Sequence, residues 1–301
     1  MRDHSLKAFA EKMKIEYREN EAMALHTSFK IGGAADMFLK PKTAEELCAL
    51  ALEVKQENLP CFILGNGSNL LVSDEGIEGV VICTSAMNGL RLVSENEIYA
   101  EAGATLASLC RFARDNALCG LEFAYGIPGS VGGALYMNAG AYGGDMSMVV
   151  SSADSITPSG EFVTRDVKDL DLAYRKSIFE ENGEIIVGVT LRLTKGDPEE
   201  ITKAMDTFMG KRKASQPLEY PSAGSTFKRP TGYFAAALID ECGLKGLTVG
   251  GAQVSEKHAG FVINRGGATC EDVKGLVQEI QKIVKEREKV DLETEIIFVG
   301  R

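Results

Sequence analysis

Apolar residues recur along this chain in two rhythms, near every third or fourth position and at every second, and the exchange between them predicts a mixed α+β protein. Leu6, Phe9, Ala10 and Met13 stand at helical spacing within residues 3 to 17, which predicts a short amphipathic helix. Residues 25 to 40 read as extended around Ile31-Gly32-Gly33. A helix is expected from Thr43, with Glu46 three residues on as a capping box and Leu47, Leu50, Ala51 and Val54 as its apolar face. Strands follow at 61 to 64 and near 79 to 83, then at Gly89 to Val93 and Ile98 to Ala102. Leu106, Leu109, Cys110, Ala113 and Ala117 trace another helix stripe. Val149 to Ile156 and Phe162 to Thr164 flank the turn Pro158-Ser159-Gly160 as a hairpin, and Glu184 to Leu193 alternates as a further strand.

Asp197-Pro198-Glu199-Glu200 combines an N-cap aspartate, a first-turn proline and acidic residues at the positive end of the dipole, so a helix should run from there to about Arg212. Beyond Tyr220 the pattern gives a helix around Phe234 to Cys242 and short strands at 247 to 249 and 260 to 263. A long helix from Thr269 to Glu288 and a last strand from Glu295 to Val299 complete it. A chain of 301 residues exceeds one ordinary core, and three parts are expected: 1–84, 85–200 and 201–301.

Composition narrows the function. A net charge of -10 argues against a nucleic-acid or anionic-membrane surface, so any anionic substrate must be met by local positive groups. The seven cysteines are odd in number and lack C-x-x-C spacing, which fits reduced, buried thiols. His4, His26 and His258 are scattered, and no metal-ligand cluster is expected. The charged N-terminus has no apolar signal core and no span is long enough for a bilayer, so a cytoplasmic protein is expected.

Two glycine-rich stretches carry candidate chemistry. Gly65-Asn66-Gly67-Ser68-Asn69-Leu70-Leu71-Val72 follows the apolar run Cys61-Phe62-Ile63-Leu64 and reads as strand, phosphate-sized loop, strand. Gly126-Ile-Pro-Gly-Ser-Val-Gly-Gly-Ala-Leu-Tyr-Met-Asn-Ala-Gly-Ala-Tyr-Gly-Gly144 is nearly uncharged, and main-chain N–H groups beside a helix start there would suit a phosphate. Glycine turns serve tight loops far more often than ligands. Neither stretch has the dinucleotide fingerprint or a Walker lysine. Two such loops together suggest a ligand with a diphosphate.

These two stretches, with Thr27-Ser28-Phe29-Lys30-Ile31-Gly32-Gly33, Tyr174-Arg175-Lys176-Ser177-Ile178-Phe179, Tyr220-Pro-Ser-Ala-Gly-Ser-Thr-Phe-Lys-Arg-Pro230 and Leu292-Glu293-Thr294-Glu295-Ile296-Ile297, resemble the UDP-N-acetylenolpyruvoylglucosamine reductase family in order from about Thr27 to Gly300. The resemblance implies a vanillyl-alcohol-oxidase/PCMH-type FAD-binding fold of two α+β lobes plus a C-terminal α+β substrate-binding domain. It implies noncovalent FAD, NADPH as reductant and a UDP-sugar nucleotide substrate in peptidoglycan precursor synthesis. By the same resemblance Gly65, Asn66, Gly67, Ser68, Asn69 and Leu70, with Pro128, Gly129, Ser130, Gly133, Asn138, Ala139 and Gly140, hold the cofactor. Arg175, Ser225 and Glu295 take the catalytic positions. The short interval between Arg175 and Ser225 matches the branch without the tyrosine-bearing loop insertion.

Read from the residues alone, each catalytic candidate has a plainer alternative. A serine in a glycine turn is more often bonded to the backbone than reactive, an arginine in a polar loop is more often a surface ion pair, and Glu293 shares a strand face with Glu295. Lys228 beside Ser225 is expected to help the hydroxyl as a proton donor. Lys211, Arg212, Lys213, Lys257 and Arg265 are candidate diphosphate partners or solvated surface charges. An oxidase or dehydrogenase of the same flavin superfamily acting on a sugar or lactone, and a silent UDP-sugar or flavin-binding regulator, are the competing functions.

Overall fold

The computed structural model describes residues 3–301. The chain divides into two compact units, one of residues 1–19, 37–66 and 79–211 and one of residues 20–36, 67–78 and 212–301. It therefore crosses from one to the other several times.

Two sheets build the first unit. One orders its strands Glu16–Ala22, Ala34–Lys40, Ile77–Cys83, Cys61–Leu64, the last two parallel with Cys61 beside Val80. The helices Asp3–Met13 and Ala44–Gln56 bury Leu6, Ala10, Leu47, Leu50 and Val54 together with Val80 and Ile82 of this sheet. Thr43 caps the second helix by accepting from the Glu46 N–H, and the Glu46 carboxylate accepts from the Lys42 N–H. The first helix ends at Met13, earlier than expected, because Glu16–Ala22 forms an edge strand whose polar residues show no apolar alternation.

The other sheet is antiparallel throughout, in the order Phe162–Asp166, Val150–Ile156, Ile185–Arg192, Glu97–Glu101, Leu90–Leu92. Its hairpin turns where expected, with Gly160 at φ 86° and its N–H on the Thr157 carbonyl. Leu106–Asp115, capped by Thr105, and the short helix Val131–Tyr136, capped by Ser130, lie with it in one core that includes Ile98, Leu109, Leu135, Val189 and Leu191. The helix Pro198–Ser215 starts as the sequence predicts, with the Asp197 carboxylate accepting from the Glu199 and Glu200 N–H groups.

The second unit packs the helices Ala235–Glu241 and Cys270–Glu288 with a three-stranded antiparallel sheet, Thr248–Val249, Ala252–Val254 and Val262–Asn264. Val273, Leu276, Ile280 and Val284 form the buried stripe of the long helix against Val254, Val262, Leu238 and Ile239. Thr269 and Asp272 close a full capping box at its start, where Asp74 also accepts from the Cys270 and Glu271 N–H groups. The final strand, Ile297–Val299, runs parallel to Leu70–Val72. Residues 20–36 join this unit through Ser28, whose hydroxyl donates to the Ser222 carbonyl at 2.7 Å, and through Phe29, whose carbonyl accepts from Asn264 at 3.1 Å.

All seven cysteines are free thiols, five of them buried, and burial pushes Cys110 up to about 12 and Cys270 to about 11. Among the described residues no helix is long and apolar enough to cross a membrane, and no group of three His, Cys, Asp or Glu side chains could hold a metal ion.

Candidate active site

The second unit joins the segment that follows Ser225 to the segment that holds Glu295 along the main chain. Gly224, just before Ser225, takes φ 78°, with open space where a Cβ would stand. Phe227 pairs antiparallel with Thr294, the Glu295 N–H donates to the Thr226 carbonyl at 2.9 Å, and the Lys228 N–H donates to the Glu293 carbonyl at 2.8 Å. Thr226 is fixed further: its N–H donates to the Gly260 carbonyl, and its hydroxyl accepts from the Val262 N–H at 3.0 Å. Asn69 joins the same corner, its side-chain amide donating to the Glu295 carbonyl at 3.1 Å and its own carbonyl accepting from the Ile297 N–H at 2.9 Å.

The two neighbouring glutamates have different fates. Glu293 is 72% exposed and pairs with the Lys228 ammonium, whereas Glu295 is half-buried. The Lys228 ammonium thus has an ion-pair partner in Glu293, and an exposed pair of this kind contributes at most about 1 kcal/mol. Arg229 lies 3.9 Å over the Phe234 ring, and Arg265 donates to the Tyr220 hydroxyl at 2.9 Å. Lys257 donates to the Lys213 carbonyl at 2.7 Å, which settles it on its own unit.

The loop at 65 to 70 leaves a row of donors open. Its carbonyls are used, Gly67 accepting from the Ser28 N–H at 3.1 Å and Asn69 from Ile297, while the N–H groups of Asn66, Gly67, Ser68 and Asn69 have no protein acceptor among the described residues. Gly67 sits at φ 59°, and a Cβ there would stand 2.1 Å from the His26 carbonyl oxygen. A Cβ on Gly65 would stand 2.3 Å from the Ser130 hydroxyl. Both glycines are required by close approach, and unpaired consecutive N–H groups of this kind form a concavity suited to an anion. The His26 ring is engaged by Glu21 at 2.8 Å.

The run at 126 to 144, in the first unit, is used otherwise. Val131, Gly132 and Gly133, at the start of its helix, give their N–H groups to the Ala104 and Ala102 carbonyls and to the Ser130 hydroxyl. These three donors are thus already used within the fold. A Cβ on Gly132 would meet that of Ala102 at 2.9 Å, and one on Gly144 would meet the Phe123 ring at 2.7 Å, so these glycines serve packing. Asn138, at φ 41°, is buried and turns its amide onto Ala173 and Ser147.

Arg175 is also in the first unit, in the turn 173–176, where Ala173 and Lys176 exchange hydrogen bonds of 3.1 and 3.2 Å. It has φ 54°, a left-handed conformation that a non-glycine residue holds only when its surroundings fix it. Its guanidinium carbon stands 5.4 Å from the centre of the Tyr174 ring, while Lys176 is drawn away to Asp171 and Glu181 at 3.2 and 3.3 Å. A shallow depression of about 720 Å³ elsewhere on this unit, lined by Arg114, Pro198, Glu199 and Lys203 among others, contains none of the sequence-predicted residues.

The α+β framework carries a loop of open N–H donors among the described residues, and residues 35–166 match the model of the FAD binding domain, which makes this a nucleotide-cofactor protein. Residues 216–299 match the model described as UDP-N-acetylenolpyruvoylglucosamine reductase, C-terminal domain. Reductases of that name are 49% identical over 287 residues in Clostridium novyi, covering 95% of this chain and 93% of the relative. The one from Lactobacillus acidophilus is 43% identical over 290 residues, covering 96% and 97%. The crystal structure of the enzyme from Thermus caldophilus superposes with a TM-score of 0.82 at 36% identity, covering 95% of this chain and 99% of that one. The chain belongs to the UDP-N-acetylenolpyruvoylglucosamine reductase family of flavin-dependent oxidoreductases and has its FAD-binding fold. The open donors at Asn66 to Asn69 fit the pyrophosphate of FAD, its cofactor.

Proposed function

We propose that this enzyme uses NADPH to reduce the enolpyruvyl group of UDP-N-acetylglucosamine enolpyruvate, giving UDP-N-acetylmuramate for peptidoglycan synthesis in the cytoplasm. The observation that supports it most is the main-chain bond from Glu295 to Thr226, the residue after Ser225, with the Asn69 side chain of the loop at 65 to 70 bonded to the Glu295 carbonyl. Gly65 to Leu70 would hold the diphosphate of noncovalent FAD, and Pro128, Gly129, Ser130, Gly133, Ala139 and Gly140 would border it through main chain and packing.

FAD, when bound, supplies the hydride that it takes from NADPH, because no side chain can. The chain's own groups handle the charge and the proton. As hydride arrives at the terminal enol carbon, electron density moves onto the substrate carboxylate, where the Arg175 guanidinium would stabilise it through charge-assisted hydrogen bonds. The Ser225 hydroxyl would give its proton to the neighbouring carbon. Glu295, half-buried and bonded through its N–H to the residue after Ser225, would orient the proton path.

Anaerobic half-reactions test this. The Ser225→Ala protein should be bleached by NADPH at nearly the normal rate, and its recovery on adding the enolpyruvyl sugar nucleotide should slow by about 10²- to 10⁴-fold. Equal losses in both halves would remove Ser225 from proton transfer. A protein that bleaches but recovers only with oxygen would be an oxidase.

A further inference from the structure

Asn138, which the family resemblance places among the FAD ligands, uses its side-chain amide within the fold. Its amide is 4% exposed and makes two bonds to main chain, both within the first unit: Nδ2 donates to the Ala173 carbonyl at 2.9 Å, and Oδ1 accepts from the Ser147 N–H at 3.0 Å. One partner is an acceptor and the other a donor, so the orientation of the amide is fixed, and a flipped side chain would face oxygen to oxygen. Ala173 is the first residue of the turn that holds Arg175 in its left-handed conformation. Two residues past Arg175, the fully buried Ser177 donates from its hydroxyl to the Tyr136 carbonyl at 2.5 Å.

The turn is thus tied on both sides of Arg175 to one place, the C-terminal end of the helix Val131–Tyr136, once by Asn138 and once by Ser177. A helix end leaves carbonyls without partners in the helix, and Tyr136 lends one of them to Ser177. We infer that Asn138 and Ser177 are positioning residues for Arg175, clamping its turn to the end of the glycine-run helix, and that Asn138 contributes to the reaction through Arg175 instead of through the cofactor. This rests on the role proposed for Arg175. The physical motive is the left-handed arginine: an isolated four-residue turn would not keep it there, and displacement of a charge-stabilising group by about 1 Å can cost on the order of 10²-fold in rate.

The test compares Asn138→Gly, which tolerates the positive φ but deletes both amide bonds, and Ser177→Ala with the unaltered holoenzyme, alone and combined with Arg175→Ala. At saturating FAD, bleaching by NADPH and the FAD dissociation constant should stay within about twofold. The limiting rate of recovery with the enolpyruvyl sugar nucleotide should fall about tenfold to a hundredfold, and Ser177→Thr, which keeps the hydroxyl, should restore most of it. In the Arg175→Ala background neither substitution should add a further loss, because the group they position is gone. Losses that multiply in full in that background, or an Asn138→Gly protein with weakened FAD binding and normal recovery, would overturn the clamp. Normal recovery in Arg175→Ala by itself would instead overturn the role of Arg175. Should Asn138→Gly fail to fold, the Ser177 pair of variants carries the same comparison.

Discussion

The two glycine-rich stretches look alike as sequence and are opposites as structure. In the loop at 65 to 70 the carbonyls of Gly67 and Asn69 are bonded while four consecutive N–H groups have no acceptor among the described residues. In the run at 126 to 144 the helix-start N–H groups are consumed by Ala102, Ala104 and Ser130, and the glycines let segments approach more closely than any Cβ would permit. Glycine density alone therefore does not mark a ligand site. The distinction lies in which main-chain groups the fold has already used, and that accounting needs the partners' positions as well as the loop.

Three substitutions separate the two uses. The largest effect is expected at Gly132→Val, which forces a side chain against Ala102 and should destabilise the apoprotein by about 3 kcal/mol in urea unfolding. FAD affinity, measured where that protein is folded, should change little. Next, Ser68→Pro deletes one of the open donors, and loss of a hydrogen bond to a charged group should weaken FAD about 30-fold, about 2 kcal/mol, in a flavin fluorescence titration. Unfolding of the apoprotein should hardly move, and a wild-type FAD affinity in this variant would break the comparison. The smallest effect is expected at Ser130→Ala, where loss of the cap on Gly133 should cost about 1 kcal/mol of stability.

Much of the framework was legible because it is locally encoded. Thr43 with Glu46, Asp197 with Pro198 and Thr269 with Asp272 announce helix starts, and the hairpin about Gly160 carries its turn signal. What escaped has little local signal. The strand Glu16–Ala22 is polar on both faces, and Ala252–Val254 is three residues long, too short to show a period. The helix start in the run at 126 to 144 was legible, but its extent, Val131–Tyr136, was not, because glycines lower helix propensity there.

The candidate site divides in the same way. Gly65 to Leu70 could be picked out by residue type, whereas Ser225, Glu295 and Arg175 stood out only through the family resemblance. Two of their surroundings have no sequence signal at all: the capture of Lys228 by Glu293, and the reach of Asn138 to Ala173 across thirty-five positions. Both are contacts between segments, which no local pattern encodes.

The parallel pairing of Leu70–Val72 with Ile297–Val299 has a consequence for how the protein comes into being. The cofactor loop is made early in synthesis, yet the strand that continues it and the carbonyl that Asn69 grips arrive more than two hundred residues later. Contacts so distant in the chain form slowly and late. A nascent chain would carry this loop unpaired until residues 297–299 emerge, an interval during translation in which chaperones have the most to protect.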